Sequence, residues 1–168
     1  MYAGKFSQFI FLFSLAIIFF ATSALWFLPH SHAQNSSDPW TAAQIVQPQD
    51  LLNELSDTRS APTVVFVGFQ RLYTAGHIRG AQFHGSGSSP EGLTQLKSWA
   101  VSLPRTTKLV IYCGCCPLER CPNLRPAFGA LHDMGFTKLR ALILPTSFAA
   151  DWAEKGLPYD HAHNRASY

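Results

Sequence analysis

Four cysteines stand within nine residues, at Cys113, Cys115, Cys116 and Cys121, and the rest of the 168-residue chain has none. Bridges that staple a small fold join segments distant in sequence, so a cluster this tight marks a local site. Three chemistries are open to it. A thiolate is a nucleophile that accepts sulfur or an oxidising equivalent. Two of the thiols, for example Cys121 with Cys115 or Cys116, form a disulfide that merely holds the loop. Thiolates also bind zinc, copper(I) or an iron–sulfur cluster. Structural zinc sites, however, use two separated cysteine pairs, and the adjacent Cys115 and Cys116 are awkward joint ligands. The nucleophilic reading is therefore adopted, with Cys113 as nucleophile and with neither metal nor cofactor.

The residues around the cluster dictate where it sits. Residues 108–112 are a short apolar run of strand type, and Leu124, Ala127, Phe128 and Leu131 repeat at helical spacing up to Gly135. Cys113 thus opens a loop at the carboxyl end of a strand, the place where ligands bind in parallel sheets. At such a junction the free N–H groups and positive end of the helix stabilise an anion, and Arg120 and Arg125 add positive charge. This predicts a lowered pKa at Cys113. Gly114, Cys115, Cys116, Arg120, Cys121, Asn123 and Arg125 are the expected loop and anion contacts.

Further elements are legible on both sides. Ile45 and Val46 read as a short strand, followed by a helix opened by Pro48 with Leu51, Leu52 and Leu55 on one face. Residues 63–67 read as a strand buried on both faces, and a glycine- and serine-rich loop is expected through Ser88. Ser89 looks like a helix cap with Pro90 in the first turn, and this helix ends at Pro104. Residues 139–144 form a third apolar run, after which Thr146 is expected to cap a last helix reaching Trp152. Strands alternating with helices predict an α/β fold with a central, mainly parallel sheet flanked by helices on both faces.

The front of the chain is different in kind. Residues 9–28 are almost wholly apolar, preceded by Lys5 and followed by the small residues Ser31 and Ala33. Residues 1–33 read as a signal peptide cleaved before Gln34 or as an uncleaved membrane anchor. Either alternative places the remainder in an exported, periplasmic or other extracytoplasmic compartment. Residues 34–39 read as a polar linker, 40–160 as one domain and 161–168 as a tail. Of the 13 basic side chains only Lys5 precedes residue 34, leaving 12 against 10 acidic ones, which gives no reason to expect a nucleic-acid partner.

Three features resemble the rhodanese family. Tyr73-Thr74-Ala75-Gly76-His77-Ile78-Arg79-Gly80-Ala81 looks like its Tyr-x-x-Gly-His-Ile-x-Gly-Ala signature. Val110-Ile111-Tyr112-Cys113 is similar to the strand that leads to its nucleophile, and the stretch from Leu131 to Phe136 is similar to its Gly-Phe helix end. Together they extend over the chain from Trp40 to Tyr159. The resemblance implies a rhodanese-like three-layer fold and a sulfurtransferase without a cofactor. Cys113 would take a sulfane sulfur from a small donor, thiosulfate or a persulfide, and pass it to a thiol or cyanide.

Gly76, His77 and Gly80 are expected to be structural, because a histidine between Gly76 and Ile78 more often satisfies backbone groups. Two departures stand out. Phe66, Val67 and Gly68 occupy the place where the family has an Asp and an Arg, and Asn123 stands where an Arg is expected, ten residues after Cys113. A longer loop admits a larger substrate, and Cys115, Cys116 or Cys121 could resolve a sulfur or oxidising equivalent held by Cys113. Two other classes fit the same fold: a thiol–disulfide oxidoreductase or redox sensor, and a non-catalytic metal- or partner-binding module. His161 and His163, and the neighbours His132 and Asp133, are given no role.

Overall fold

The structure is a computed structural model that describes residues 38–161. The leader expected at 1–33 and the tail beyond His161 lie outside the described residues. No helix among the described residues is long and apolar enough to cross a membrane.

Among the described residues, seven strands and five helices follow in chain order: β1 (Ile45–Val46), α1 (Pro48–Leu55), β2 (Thr63–Phe66), α2 (Gln70–Ala75), β3 (His77–Ile78), β4 (Gln82–Phe83), α3 (Pro90–Ala100), β5 (Leu109–Tyr112), α4 (Leu124–Asp133), β6 (Leu139–Leu142), α5 (Phe148–Asp151) and β7 (Tyr159–Asp160). Five of the strands form one sheet in the order β1-β6-β5-β2-β4, and every pairing in it is parallel. β3 and β7 make a separate antiparallel pair.

The apolar runs are strands because both faces of the sheet are covered. Leu109 and Ile111 of β5 point, with Val65 and Val67, into a core shared with Leu96 and Ala100 of α3 and Ala127, Phe128 and Leu131 of α4. Val110 and Tyr112 point the opposite way, with Val64 and Phe66, against Leu51 of α1 and Trp152. All four β5 residues are fully buried. The two-residue alternation of a strand carries on past the last ladder residue. Cys113 consequently falls on the α3 and α4 side, where Cys121 and Leu124 also pack.

The region expected to be a loop through Ser88 contains three elements. α2 has only six residues and β3 and β4 two each, too short for a periodic pattern, and β3 pairs with the distant β7. The last helix is capped by Ser147 rather than Thr146: the Ser147 hydroxyl accepts from the Ala150 N–H at 3.1 Å. Ser89 caps α3 as expected, accepting from the Gly92 N–H at 3.0 Å. The polar lead-in also reaches into the fold, since the Asp38 carboxylate pairs with Arg125 at 2.6 Å.

The Gly-His-Ile signature is tied to β5 through Tyr112. The Ile78 N–H donates to the Tyr112 phenol oxygen at 2.9 Å. Burial keeps that phenol from ionising, pushing its pKa far above the ordinary range despite the Ile78 contact. Replacing Tyr112 by Phe removes the acceptor and strands a buried N–H. The expected result in urea unfolding is a loss of about 1–3 kcal/mol, the usual cost of an unsatisfied buried donor. An unchanged unfolding midpoint would contradict the role given to this phenol.

Candidate active site

The loop between β5 and α4 is pinned at several points. Gly114 takes φ 67°, a left-handed conformation that favours glycine, and a Cβ there would lie 2.7 Å from the Phe148 Cβ. Its carbonyl accepts from the Phe148 N–H at 2.9 Å. Leu118 opens a single 3-10 turn over Leu118–Arg120, and its carbonyl accepts from the Arg125 guanidinium at 2.8 Å.

Asn123 joins this loop to the glycine- and serine-rich segment before α3. Its side chain is fully buried. The Oδ1 accepts from the Ser86 hydroxyl at 2.8 Å and the Ser88 N–H at 3.1 Å. The Nδ2 donates to Cys113 Sγ at 3.4 Å and to Cys115 Sγ at 3.6 Å. Gly87 permits the approach: a Cβ there would lie 2.0 Å from the Asn123 carbonyl oxygen. The Gly87 N–H in turn bonds to the Val67 carbonyl at 2.8 Å, which holds the segment beside the end of β2.

Cys113, Cys115 and Cys121 converge, with their sulfurs all within 4.8 Å of one another. All four cysteines are free thiols, and Cys115 and Cys116 have their sulfurs 3.1 Å apart. The helix-end amides expected to stabilise Cys113 are directed elsewhere. Cys121 is the sulfur that receives them: the neighbouring Cys113 thiol and the N–H groups of Asn123 and Leu124 lower its pKa to about 5, against the opposing effect of burial. Cys113 moves the other way, raised by the neighbouring Cys121 sulfur and by burial. The N–H of Cys115 offsets only part of this. Burial and the Cys115 thiol push Cys116 up to about 12.

The two arginines expected as anion contacts make no hydrogen bond to the sulfurs. Arg125 is bound to Asp38 and to the Leu118 carbonyl and lies over the Trp40 ring at 5.7 Å, so its charge anchors the N-terminal lead-in. Arg120 is exposed on the 3-10 turn. His77 is buried, stacks on Tyr73 at 3.9 Å and donates from Nδ1 to the Tyr73 carbonyl at 2.8 Å. Tyr73 closes the same turn by donating to the Ala81 carbonyl at 2.8 Å, and Gly80 turns it with φ 76°. Gly76 lies along the cavity described next, which Cys113 and Cys115 also line.

A cavity of about 300 Å³ opens on Cys113 and Cys115 from the side of Phe148, Phe66, Leu72 and Tyr159. None of its lining residues is charged. Sequence reasoning missed this apolar wall, which comes from four separate elements, and it missed Ser86 and Ser88, whose only signal was a Gly-Ser-Gly-Ser-Ser run. A larger depression of about 520 Å³ lies by the opposite strand ends, near Lys108, Lys138, Glu54 and Arg140, and contains no nucleophilic sulfur.

No family model and no curated protein matches the chain. Solved structures do. The rhodanese-like domain of the Alr3790 protein from Anabaena sp. matches in solution with TM-score 0.52 and 20% identity, over 74% of this chain and 85% of that one. A crystal structure of Alr3790 gives TM-score 0.54 and 21% identity over 70% and 93%. The BH2092 protein from Bacillus halodurans gives 0.54 and 18% over 70% and 76%. A persulfide-bearing EanB variant, in a tetrahedral intermediate state with ergothioneine, matches with TM-score 0.51 and 18% identity, over 69% of this chain and 27% of that one. The fold is therefore rhodanese-like. Likeness at this identity speaks for the architecture, and the chemistry rests on the residues above.

The geometry makes the thiolate of the cluster Cys121. In the reduced, metal-free protein the ultraviolet thiolate absorbance should titrate with a midpoint near 5, present above that pH and lost as pH falls through it. Cys121→Ser should remove this step. A first midpoint near about 8.5, the ordinary cysteine value, would contradict the arrangement.

Proposed function

We propose that the protein is a sulfurtransferase that carries a sulfane sulfur as a persulfide on Cys113. The observation that carries this reading is the position of Cys113, at the end of the most buried strand, between an open apolar cavity and the Cys121 sulfur. A nucleophile needs a route for its substrate on one side and a place for its proton on the other. The cavity provides the first and Cys121 the second.

In the first half-reaction the Cys113 sulfur attacks the outer sulfur of a persulfide donor. A new S–S bond forms at Cys113, the donor's S–S bond breaks, and the donor leaves as a thiolate. The Cys113 proton passes to Cys121. In the second half-reaction an acceptor thiolate, or cyanide, attacks the outer sulfur of the Cys113 persulfide and carries it away. Cys113 then recovers its proton from Cys121. No external oxidant or reductant takes part.

The donor class follows from the cavity walls. Thiosulfate is a dianion, and placing it against Phe66, Leu72, Phe148 and Tyr159 strips water from charges that no lining cation replaces. A persulfide attached to an apolar body fits these walls and leaves its reactive end at the sulfurs. We place the reaction outside the cytoplasm, on the strength of the apolar segment at residues 9–28 and the small residues before Gln34.

Intact mass after exposure to a persulfide donor tests the reading. One added sulfur is expected on the native protein, removed by cyanide and absent in Cys113→Ser. Turnover with an apolar persulfide should exceed that with thiosulfate by at least about tenfold, the effect of about 1.4 kcal/mol. Disulfide formation without sulfur uptake would contradict the proposal and point to redox chemistry instead.

A further inference from the structure

The sulfurs of Cys113, Cys115 and Cys121 lie within 4.8 Å of one another, drawn from both ends of one loop. We infer that this trio is a three-coordinate site for copper(I), a binding function separate from sulfur transfer. A metal–thiolate bond of about 2.3 Å in a planar three-sulfur arrangement sets the sulfurs about 4.0 Å apart, a contraction the loop can supply without a new backbone path.

The surroundings are those of a metal thiolate centre. Asn123 Nδ2 lies 3.4 Å from Cys113 Sγ and 3.6 Å from Cys115 Sγ, while the N–H groups of Asn123 and Leu124 face Cys121. Such outer contacts orient ligands and offset the negative charge that three thiolates bring. Behind the sulfurs is a void of about 10 Å³ lined by Leu118, Leu124, Leu142 and Leu144 together with Gly114 and Cys116.

Those walls select the ion. Soft thiolate sets favour copper(I) and zinc. Zinc in a protein takes a fourth ligand, commonly a water where only three side chains bind. The void of about 10 Å³ is at the lower limit for a single water, and Cys116 on its wall is an awkward joint ligand beside Cys115. Copper(I) is satisfied by three sulfurs. The thiol protons still present are released to solvent on binding, and no electron is transferred. Because Cys113 is then a ligand, the loaded protein should take up no sulfur until the ion leaves.

The test uses the full-length, reduced, metal-free protein under anaerobic conditions, titrated with copper(I) against a chromophoric copper(I) chelator. One copper per chain should be retained, with three sulfur neighbours in X-ray absorption. Cys115→Ser and Cys121→Ser should lose affinity by more than the roughly 10–100-fold that follows loss of an outer contact. Cys116→Ser should keep it. Circular dichroism and thermal melting establish that each variant is folded, and X-ray absorption on the native protein decides if one is not. Removal of copper from the native protein by the chelator, fewer than three sulfur neighbours, equal retention by the folded variants, or retention of zinc(II) but not copper(I) would each overturn the inference. Sulfur uptake is read by mass in the absence of metal, so failure of either reading is distinct from failure of the other.

Discussion

The site depends on one buried amide. Asn123 occupies the first position before α4 and uses its side chain in both directions, accepting from Ser86 and Ser88 and donating to Cys113 and Cys115. An amide in this place saturates two acceptor and two donor valences at once, which no aliphatic or charged side chain of similar size can do. It couples the segment after β4, the end of β5 and the start of α4. Leaving any of these valences empty in a fully buried position costs more than the bond itself contributes. The loop geometry is therefore a consequence of satisfying Asn123.

Around that clamp the two ends of the loop have different electrostatic roles. Cys113 continues a strand with no exposed residue, where a bare charge is unfavourable. Cys121 stands against the first amides of α4, where a negative charge is favoured. One proton on Cys113 and one charge on Cys121 is the division that both environments support. On the proposed function, the Cys113 proton has the Cys121 sulfur to go to as the new S–S bond forms, and the donor would approach through an uncharged cavity.

Much of this was legible in the sequence. The runs at Thr63–Phe66, Leu109–Tyr112 and Leu139–Leu142 became the three central strands because short, mostly apolar stretches suit a sheet covered on both faces, with Arg140 of the third reaching Glu54. Ser89 and Pro90 marked a helix start, and the cysteine cluster marked the site. Other features depend on contacts distant in the chain. Asp38 meets Arg125 across 87 residues and Ser86 meets Asn123 across 37, so neither partner could be inferred locally. The pairing of β3 with β7 rests on two residues in each strand. The direction of the helix-end amides was missed for the same reason: spacing places a thiol near a helix start, but only the folded loop decides which of four sulfurs faces it.

Asn123→Asp tests the clamp most directly, since it keeps the size and replaces the donating amide by an oxygen facing two sulfurs. Sulfur uptake at Cys113 is followed by mass, in the metal-free protein, at a pH where the new carboxyl is ionised. The account requires the variant to remain folded and to accept sulfur at least about tenfold more slowly, as expected when a buried donor facing two sulfurs is replaced by a carboxylate oxygen that repels negative charge developing on Cys113. Uptake at the native rate by a folded variant would contradict it.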